Sequence, residues 1–196
     1  MSRIIYLMGK SSSGKDTIFK RLQADKSLGL RTVVTYTTRP IRSGEKNGVE
    51  YFFTDEDGYL QMKEQGKIIE DRAYETYHGV WRYFTALDGQ IENDGPDYIM
   101  IGTLEAYHVM CSYFGAERML PVMIELDDGI RLQRALKREM SNASPKYQEL
   151  CRRYLADCED YSEDKIKAAG ITKCFENDDL ERCLAEISAY INETKR

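Results

Sequence analysis

Apolar and polar positions follow two rhythms along the 196 residues of the chain. Short, almost unbroken apolar runs occupy residues 3–8 (Ile4-Ile5-Tyr6-Leu7-Met8), 30–37 (around Val33-Val34), 97–102 (Tyr98-Ile99-Met100-Ile101), 120–126 and 171–175. Runs this short with both faces apolar predict buried strands of a parallel sheet. Between them the spacing lengthens to that of amphipathic helices, over residues 17–25, 104–114, 130–140 and 146–167. A closing helix carries Leu180, Leu184, Ile187 and Ile191 on one face. Asp128 is placed to cap the helix at 130–140, and Asp178 or Asp179 the last one. Thr85 predicts a further cap, for a helix to about residue 92 that Asp94-Gly95-Pro96 stops.

The middle of the chain has a different texture. Residues 50–54 predict a short strand, Thr54 a cap for a helix starting near Asp55 with Leu60 and Met62 as packing residues, and residues 67–70 another short strand. Aromatic residues follow through Tyr83-Phe84. This predicts a substrate-binding insertion over residues 35–85, interrupting an α/β core at 1–34 and 86–196. Ser141-Asn142-Ala143-Ser144-Pro145 has the composition of a mobile loop. Five strands alternating with helices predict a five-stranded parallel sheet wrapped on both faces, with its ligand site at the carboxyl edge.

Composition narrows the function classes. A net charge of −5 argues against a nucleic-acid surface, and no apolar run approaches the length that spans a membrane. Five cysteines without C-x-x-C spacing predict reduced, mostly buried thiols in a cytoplasmic protein, and two histidines leave little for a metal cluster. Ser2-Arg3 leads directly into the first strand, so no signal peptide is expected. Either a monomer or a homodimer fits.

Gly9-Lys10-Ser11-Ser12-Ser13-Gly14-Lys15-Asp16-Thr17 lies between the first predicted strand and helix. It fits the phosphate-binding pattern G-x-x-x-x-G-K, with Asp16 where a Ser or Thr usually follows the lysine. The glycines let backbone N–H groups converge on one anion, and Lys15 adds a point charge. This predicts a nucleoside triphosphate site. In the loop after the second strand, Arg39 and Arg42 bracket Pro40. Their planar forks suit a compact phosphate dianion, with Tyr51 adding a hydroxyl and Glu45 holding one arginine in place.

Thr35-Tyr36-Thr37-Thr38-Arg39-Pro40-Ile41-Arg42-Ser43-Gly44-Glu45, followed by Asn47-Gly48 and Tyr51-Phe52-Phe53, resembles the monophosphate-binding loop of the guanylate kinase family, S-x-T-T-R-x-x-R-x-G-E-x-x-G-x-x-Y-x-F, with Thr35 for Ser. Asn177-Asp178-Asp179-Leu180-Glu181 resembles that family's C-terminal N-D-D-L-E run. With the phosphate loop, the likeness extends over the whole chain. It implies a phosphate-loop kinase fold with an inserted monophosphate-binding domain and a lid over about residues 139–152, acting on ATP and GMP with Mg²⁺. It also implies roles for single residues. Glu70 falls where the family reads guanine with a carboxylate, and Thr35 would bond the base edge. His78-Gly79-Val80-Trp81-Arg82-Tyr83-Phe84-Thr85 resembles H-G-x-Y-Y-G-T/S, with one inserted residue and Phe84 for glycine, which brings Tyr83 and Thr85 to the acceptor. Asn177 falls to the ATP side. Arg134, Arg138 and Arg153 would be lid arginines that, with Lys15, neutralise charge on the transferred phosphoryl group.

Two departures stand out. The strand ending Ile101-Gly102-Thr103 lacks the acidic residues of the family's E-I-D, leaving Thr103 beside the acceptor. Asp16, in turn, stands where a magnesium-binding hydroxyl is usual. Asp16 is therefore expected to supply the carboxylate that the strand lacks. The G-K-D sequence also occurs in ribose bisphosphate phosphokinases. A kinase for a deoxynucleoside monophosphate or ribose 1,5-bisphosphate is thus the alternative, followed by a non-catalytic guanylate-kinase-like binding module and a phosphate-loop ATPase or GTPase switch.

Overall fold

The computed structural model describes residues 1–76 and 79–195. Its core is a five-stranded parallel sheet, in the order β2 (Arg31–Thr32), β7 (Tyr98–Ile101), β1 (Ile4–Met8), β8 (Met119–Glu125) and β9 (Cys174–Glu176). β1 lies at the centre, with Ile5 level with Ile99 on one side and Leu120 on the other. The period of two explains its composition. Ile4, Tyr6 and Met8 pack to one face with Leu104, Tyr107 and Met110 of α3 (Leu104–Phe114), together with Tyr161 and Ile166. Ile5 and Leu7 pack to the other, against Ile18 and Leu22 of α1 (Lys15–Ala24) and Leu184, Ile187 and Ile191 of α7 (Leu180–Glu193).

A second, four-stranded sheet has the order β4 (Phe52–Phe53), β3 (Tyr36–Thr37), β6 (Gly79–Ala86) and β5 (Ile68–Thr76). β5 and β6 form a long antiparallel pair, and α2 (Glu56–Glu64) covers the sheet through Tyr59, which packs on Phe84. Three further helices complete the chain: α4 (Asp128–Met140), α5 (Tyr147–Asp160) and α6 (Glu163–Ala168).

Several elements differ from the sequence pattern. The strand expected over 30–37 is two strands in two sheets, because the chain crosses between them after Val33, and the Val34 amide donates instead to the Gln90 side chain at 2.8 Å. No helix follows Thr85. That residue lies within β6, and residues 87–97 form turns through Gly89, at φ 86°. The short strand at 67–70 is nine residues long. Asp55, not Thr54, caps α2, and Leu60 is exposed while Tyr59 takes the buried position. The helix expected over 146–167 breaks where Tyr161 turns into the core, and Ser162-Glu163-Asp164 begins a new one. Asp127 caps α4, which frees Asp128 for other bonds. Of the five free cysteines only Cys183 is buried; Cys151 and Cys174 are exposed.

Candidate active site

The phosphate loop leaves the carboxyl end of β1 and enters α1. Its glycines are required by shape. A Cβ at Gly9, φ +153°, would collide with the Ile124 carbonyl, and one at Gly14, φ +91°, with the Asn177 side chain. Ser12 also sits in the left-handed region, at φ 65°. The loop is pinned from three directions. Asn177, which follows β9, donates from Nδ2 to the Ser13 carbonyl at 2.7 Å. Arg131 of α4, 1% exposed, donates from Nη1 to the Ser11 carbonyl at 2.9 Å. Asp157 of α5 accepts the Ser11 N–H at 2.7 Å. The Ser12 and Ser13 hydroxyls are buried and have no hydrogen-bond partner among the described residues.

Cations surround this loop. Arg153 Nη2 donates to Ser11 Oγ at 3.0 Å, and Lys10 pairs with Asp128 at 3.2 Å. Asp128 also takes both Nε and Nη2 of Arg131. Burial lowers the pKa of the Lys15 ammonium, Arg153 and Arg138 act in the same sense, and Asp16 and Asp157 oppose them. Arg134 lies along the exposed side of α4 beside Gly14. A cavity of about 380 Å³ opens between Ser11 and Ser12 of the loop, Arg138 of α4, Arg153 of α5, and Arg42 and Trp81 of the second sheet's side. Positive groups thus face it from both sides. Asp16 and Thr17 are exposed in the first turn of α1.

Across the cleft, Arg39 is 3% exposed. Its guanidinium makes a two-pronged bond to Glu45, at 2.7 and 2.8 Å, donates to the Pro40 carbonyl and lies against the Tyr51 and Phe53 rings. Hydrogen bonding from Arg39 holds the Glu45 carboxyl below its usual range. Glu45 also accepts the Arg42 N–H at 2.8 Å, so one carboxylate orders both arginines, while the Arg42 side chain is exposed. Tyr51 meets Tyr83 edge to face. Burial raises the Tyr51 phenol, and the charges of Tyr83 and, across the cleft, Asp16 add to this.

The bottom of this surface is polar and buried. Glu70, 6% exposed, accepts from Thr85 Oγ1 at 2.7 Å and from Arg72 Nε at 3.2 Å. Thr103 caps α3 and accepts from Arg72 Nη1 at 3.1 Å. Thr35 is half-buried at the start of β3, where its carbonyl accepts the Phe52 N–H. His78 lies outside the described residues.

The expected residues therefore gather on two facing surfaces: Gly9 to Thr17, Asn177, Arg138 and Arg153 on one, Arg39, Arg42, Glu45, Tyr51, Glu70, Tyr83, Thr85 and Thr103 on the other. Arg134 stands at the rim. Arg72, Asp128, Arg131 and Asp157 are not evident from motifs alone. A signal for Arg131 existed, since it continues the row of Arg134 and Arg138 along one helix and stands three residues after Asp128.

A model of the guanylate kinase family, described as "Guanylate kinase", matches residues 1–105. This chain belongs to the guanylate kinase family. The chain is 29% identical over 190 residues to the guanylate kinase of Symbiobacterium thermophilum, covering 96% of this chain and 83% of that protein. To the guanylate kinase of Wolbachia sp. subsp. Brugia malayi it is 26% identical over 193 residues, covering 98% of this chain and 93% of that protein. A crystal structure of guanylate kinase from Anaplasma phagocytophilum superposes with a TM-score of 0.67 at 17% identity, over the whole of this chain and 88% of that one. That likeness establishes the shared fold. Family membership makes this a nucleotide-binding kinase of the phosphate-loop class. No described helix is long and apolar enough to cross a membrane.

Proposed function

We propose that the protein transfers the terminal phosphoryl group of ATP to GMP, giving ADP and GDP. The observation that carries this reading is the cavity of about 380 Å³ lined by phosphate-loop serines and lid arginines on one side and by Arg42 on the other. Arginines of the phosphate-loop side and of the arginine-loop side meet at one cleft, as a transfer between two phosphate-bearing ligands requires, with Glu139, Glu149 and Asp157 among them.

Residues 9–17, with Asn177 holding the loop in shape, bind the ATP phosphates. Residues 35–85 form the monophosphate-binding domain, in which Arg39, Arg42 and Tyr51 take the acceptor phosphate and Glu45 orders the arginines. Glu70, hydrogen-bonded to Thr85, accepts from the donor edge of guanine, and Thr35 bonds the base edge. Thr103 and Tyr83 complete the pocket wall. A nucleoside monophosphate has a second pKa near ~6, so its phosphate is already a nucleophile at neutral pH and no general base is needed. Catalysis is positioning and charge neutralisation by the loop amides, Lys15, Arg134, Arg138 and Arg153. Residues of about 139–152 close over the reactants and exclude water.

Among the described residues no three His, Cys, Asp or Glu side chains cluster as a metal cage. Magnesium needs only one or two carboxylates beside phosphate oxygens, and exposed Asp16, next to Lys15, fits that role for an ion arriving with ATP. Mg²⁺ would supply charge neutralisation on the phosphate oxygens. Asp16→Ala is expected to raise the Mg²⁺ concentration needed for half-maximal rate; an unchanged requirement refutes the assignment.

The test is an ADP-release assay with Mg-ATP and GMP, dGMP, AMP, UMP, CMP or ribose 1,5-bisphosphate. GMP is expected to give the highest kcat/KM. Another winner, or a tie, overturns the reading.

A further inference from the structure

Strand β5 sends alternate side chains to the same face, so Glu70 and Arg72 project together. Opposite them on β6 stand Thr85 and Tyr83. Arg72 is therefore part of the acceptor wall, and only 14% of its side chain is exposed. Two of its three nitrogens are spent: Nε donates to Glu70 Oε2 at 3.2 Å and Nη1 to Thr103 Oγ1 at 3.1 Å. Nη2 makes no bond among the described residues. Glu70 is also only partly engaged, since each carboxylate oxygen accepts one bond and has capacity for another.

The fork of a guanidinium is planar, and Nε–H and one Nη2–H point the same way along one edge. The edge that meets Glu70 therefore continues into an unspent donor. The wall presents a carboxylate acceptor beside a cationic donor. The Watson–Crick edge of guanine is the complement, two donors (N1–H and the 2-amino group) beside one acceptor, the 6-carbonyl oxygen. Adenine offers the reverse at positions 1 and 6 and would leave both protein groups unpaired.

We propose that Arg72 is a specificity-determining residue that donates from Nη2 to the 6-carbonyl oxygen of the acceptor base, while Glu70 takes the base's two donors. The inference rests on GMP being the acceptor. It differs from a purely structural role, in which Arg72 would only tie β5 to the start of α3 through Thr103. A strut supports all purine acceptors alike, whereas a base-reading donor discriminates at one atom.

The experiment compares kcat and KM for GMP, 6-thio-GMP (sulfur replacing the 6-oxygen), IMP (lacking the 2-amino group) and AMP, in wild type, Arg72→Met and Arg72→Lys. Wild type is expected to favour GMP over 6-thio-GMP by about 10- to 100-fold, mostly in KM, since a bond from a charged donor is weakened. Arg72→Met should bring that ratio to within about threefold of unity, while the preference for GMP over IMP, read by Glu70, persists. Arg72→Lys, with one donor on a flexible stem, should fall between. An unchanged GMP to 6-thio-GMP ratio in Arg72→Met overturns the proposal, as does a wild-type enzyme that uses the two equally well. If circular dichroism shows Arg72→Met unfolded, the wild-type ratio and its loss or retention in Arg72→Lys decide. Should wild type fail to prefer GMP over AMP, the acceptor reading itself falls; a GMP preference with unaltered thio discrimination removes Arg72 alone.

Discussion

Replacing Arg131 with Met tests how the phosphate loop is held. The guanidinium donates twice to Asp128 Oδ1, at 2.9 and 2.7 Å, and once to the Ser11 carbonyl at 2.9 Å. It also lies 3.6 Å from Asp157 and 5.1 Å above the Tyr154 ring. Removing one partner of a fully buried ion pair costs about 3–5 kcal/mol. Here the figure is smaller, because Asp128 has 45% of its side chain in water and can rehydrate while keeping Lys10. Asp157, at 17%, keeps the Ser11 N–H and the Lys15 charge but loses its nearest guanidinium. The Ser11 carbonyl loses a bond of about 1 kcal/mol. Together these give about 2–4 kcal/mol, or a fall in Tm of about 5–15 °C for a chain of this length. Because the lost bonds end on the loop, the KM for ATP should rise more than the KM for GMP. Thermal and urea unfolding measure the first effect, and steady-state kinetics the second. Saturating ATP should restore part of the lost stability, as a ligand specific to the native state does. A Tm loss under ~3 °C with an unchanged KM for ATP would refute the claim that Arg131 braces the loop.

Other outcomes follow from the same geometry. Asn177→Ala orphans the buried Ser13 carbonyl, so it should cost about 1–3 kcal/mol in urea unfolding and raise the KM for ATP. The Lys15 ammonium, its pKa lowered by burial, gives up its proton below the usual lysine value of about 10.4. Charge is needed to hold the phosphates, so kcat/KM for ATP should fall as pH rises through that lowered value, and Lys15→Arg should remove this alkaline limb if the variant binds ATP at all. At Asp97, burial alone would raise the carboxyl. Bonds from the Arg3 side chain and N–H outweigh it and hold the carboxyl below its usual range. A carboxyl depressed in the native state stabilises the fold above its unfolded pKa of about 3.9 and loses that contribution as pH falls through the lower native value. Asp97→Asn should therefore be less stable than wild type at pH 7 and approach it near pH 2 by urea titration.

Much of this molecule can be read from local pattern, and several of the places where it cannot share a cause. The strands of the core sheet are legible because both faces of β1 are buried, so Ile4 through Met8 are all apolar. Leu104 to Phe114 is legible because Thr103 caps it and Gly115 ends it. Several misreadings fall where a residue's partner is distant in sequence, and others where two neighbouring side chains compete for one cap, as at Thr54-Asp55 and Asp127-Asp128. Thr85 looks like a helix cap because its hydroxyl oxygen could accept from a helix N–H, but the hydroxyl instead donates to Glu70 on the neighbouring strand. Asp128 looks like a cap because its carboxylate could accept from a helix N–H, yet it accepts from Lys10 and Arg131 and leaves the capping to Asp127. The stretch around Val33-Val34 reads as one strand because nothing local reveals that its two ends belong to different sheets.

The same distinction explains why the phosphate loop and the arginine loop are visible as motifs, with Glu45 and Asn177 inside recognisable runs, while Arg131 and Asp157 are not. A loop that wraps an anion must place its own backbone, so its glycines and arginines fall at fixed spacings within one short stretch. The groups that brace it need only arrive at the right point in space: Arg131 from α4, Asp157 from α5 and Asn177 from the end of β9 reach Ser11 and Ser13 from three separate elements. Arg72 is the intermediate case. Its two-residue offset from Glu70 becomes meaningful once β5 is known to continue past Glu70, for only then do the two side chains share a face. Extending that strand by a few residues converts an ordinary surface charge into a donor beside a buried carboxylate. The length of an element can thus decide which residues belong to a site as firmly as any motif within it.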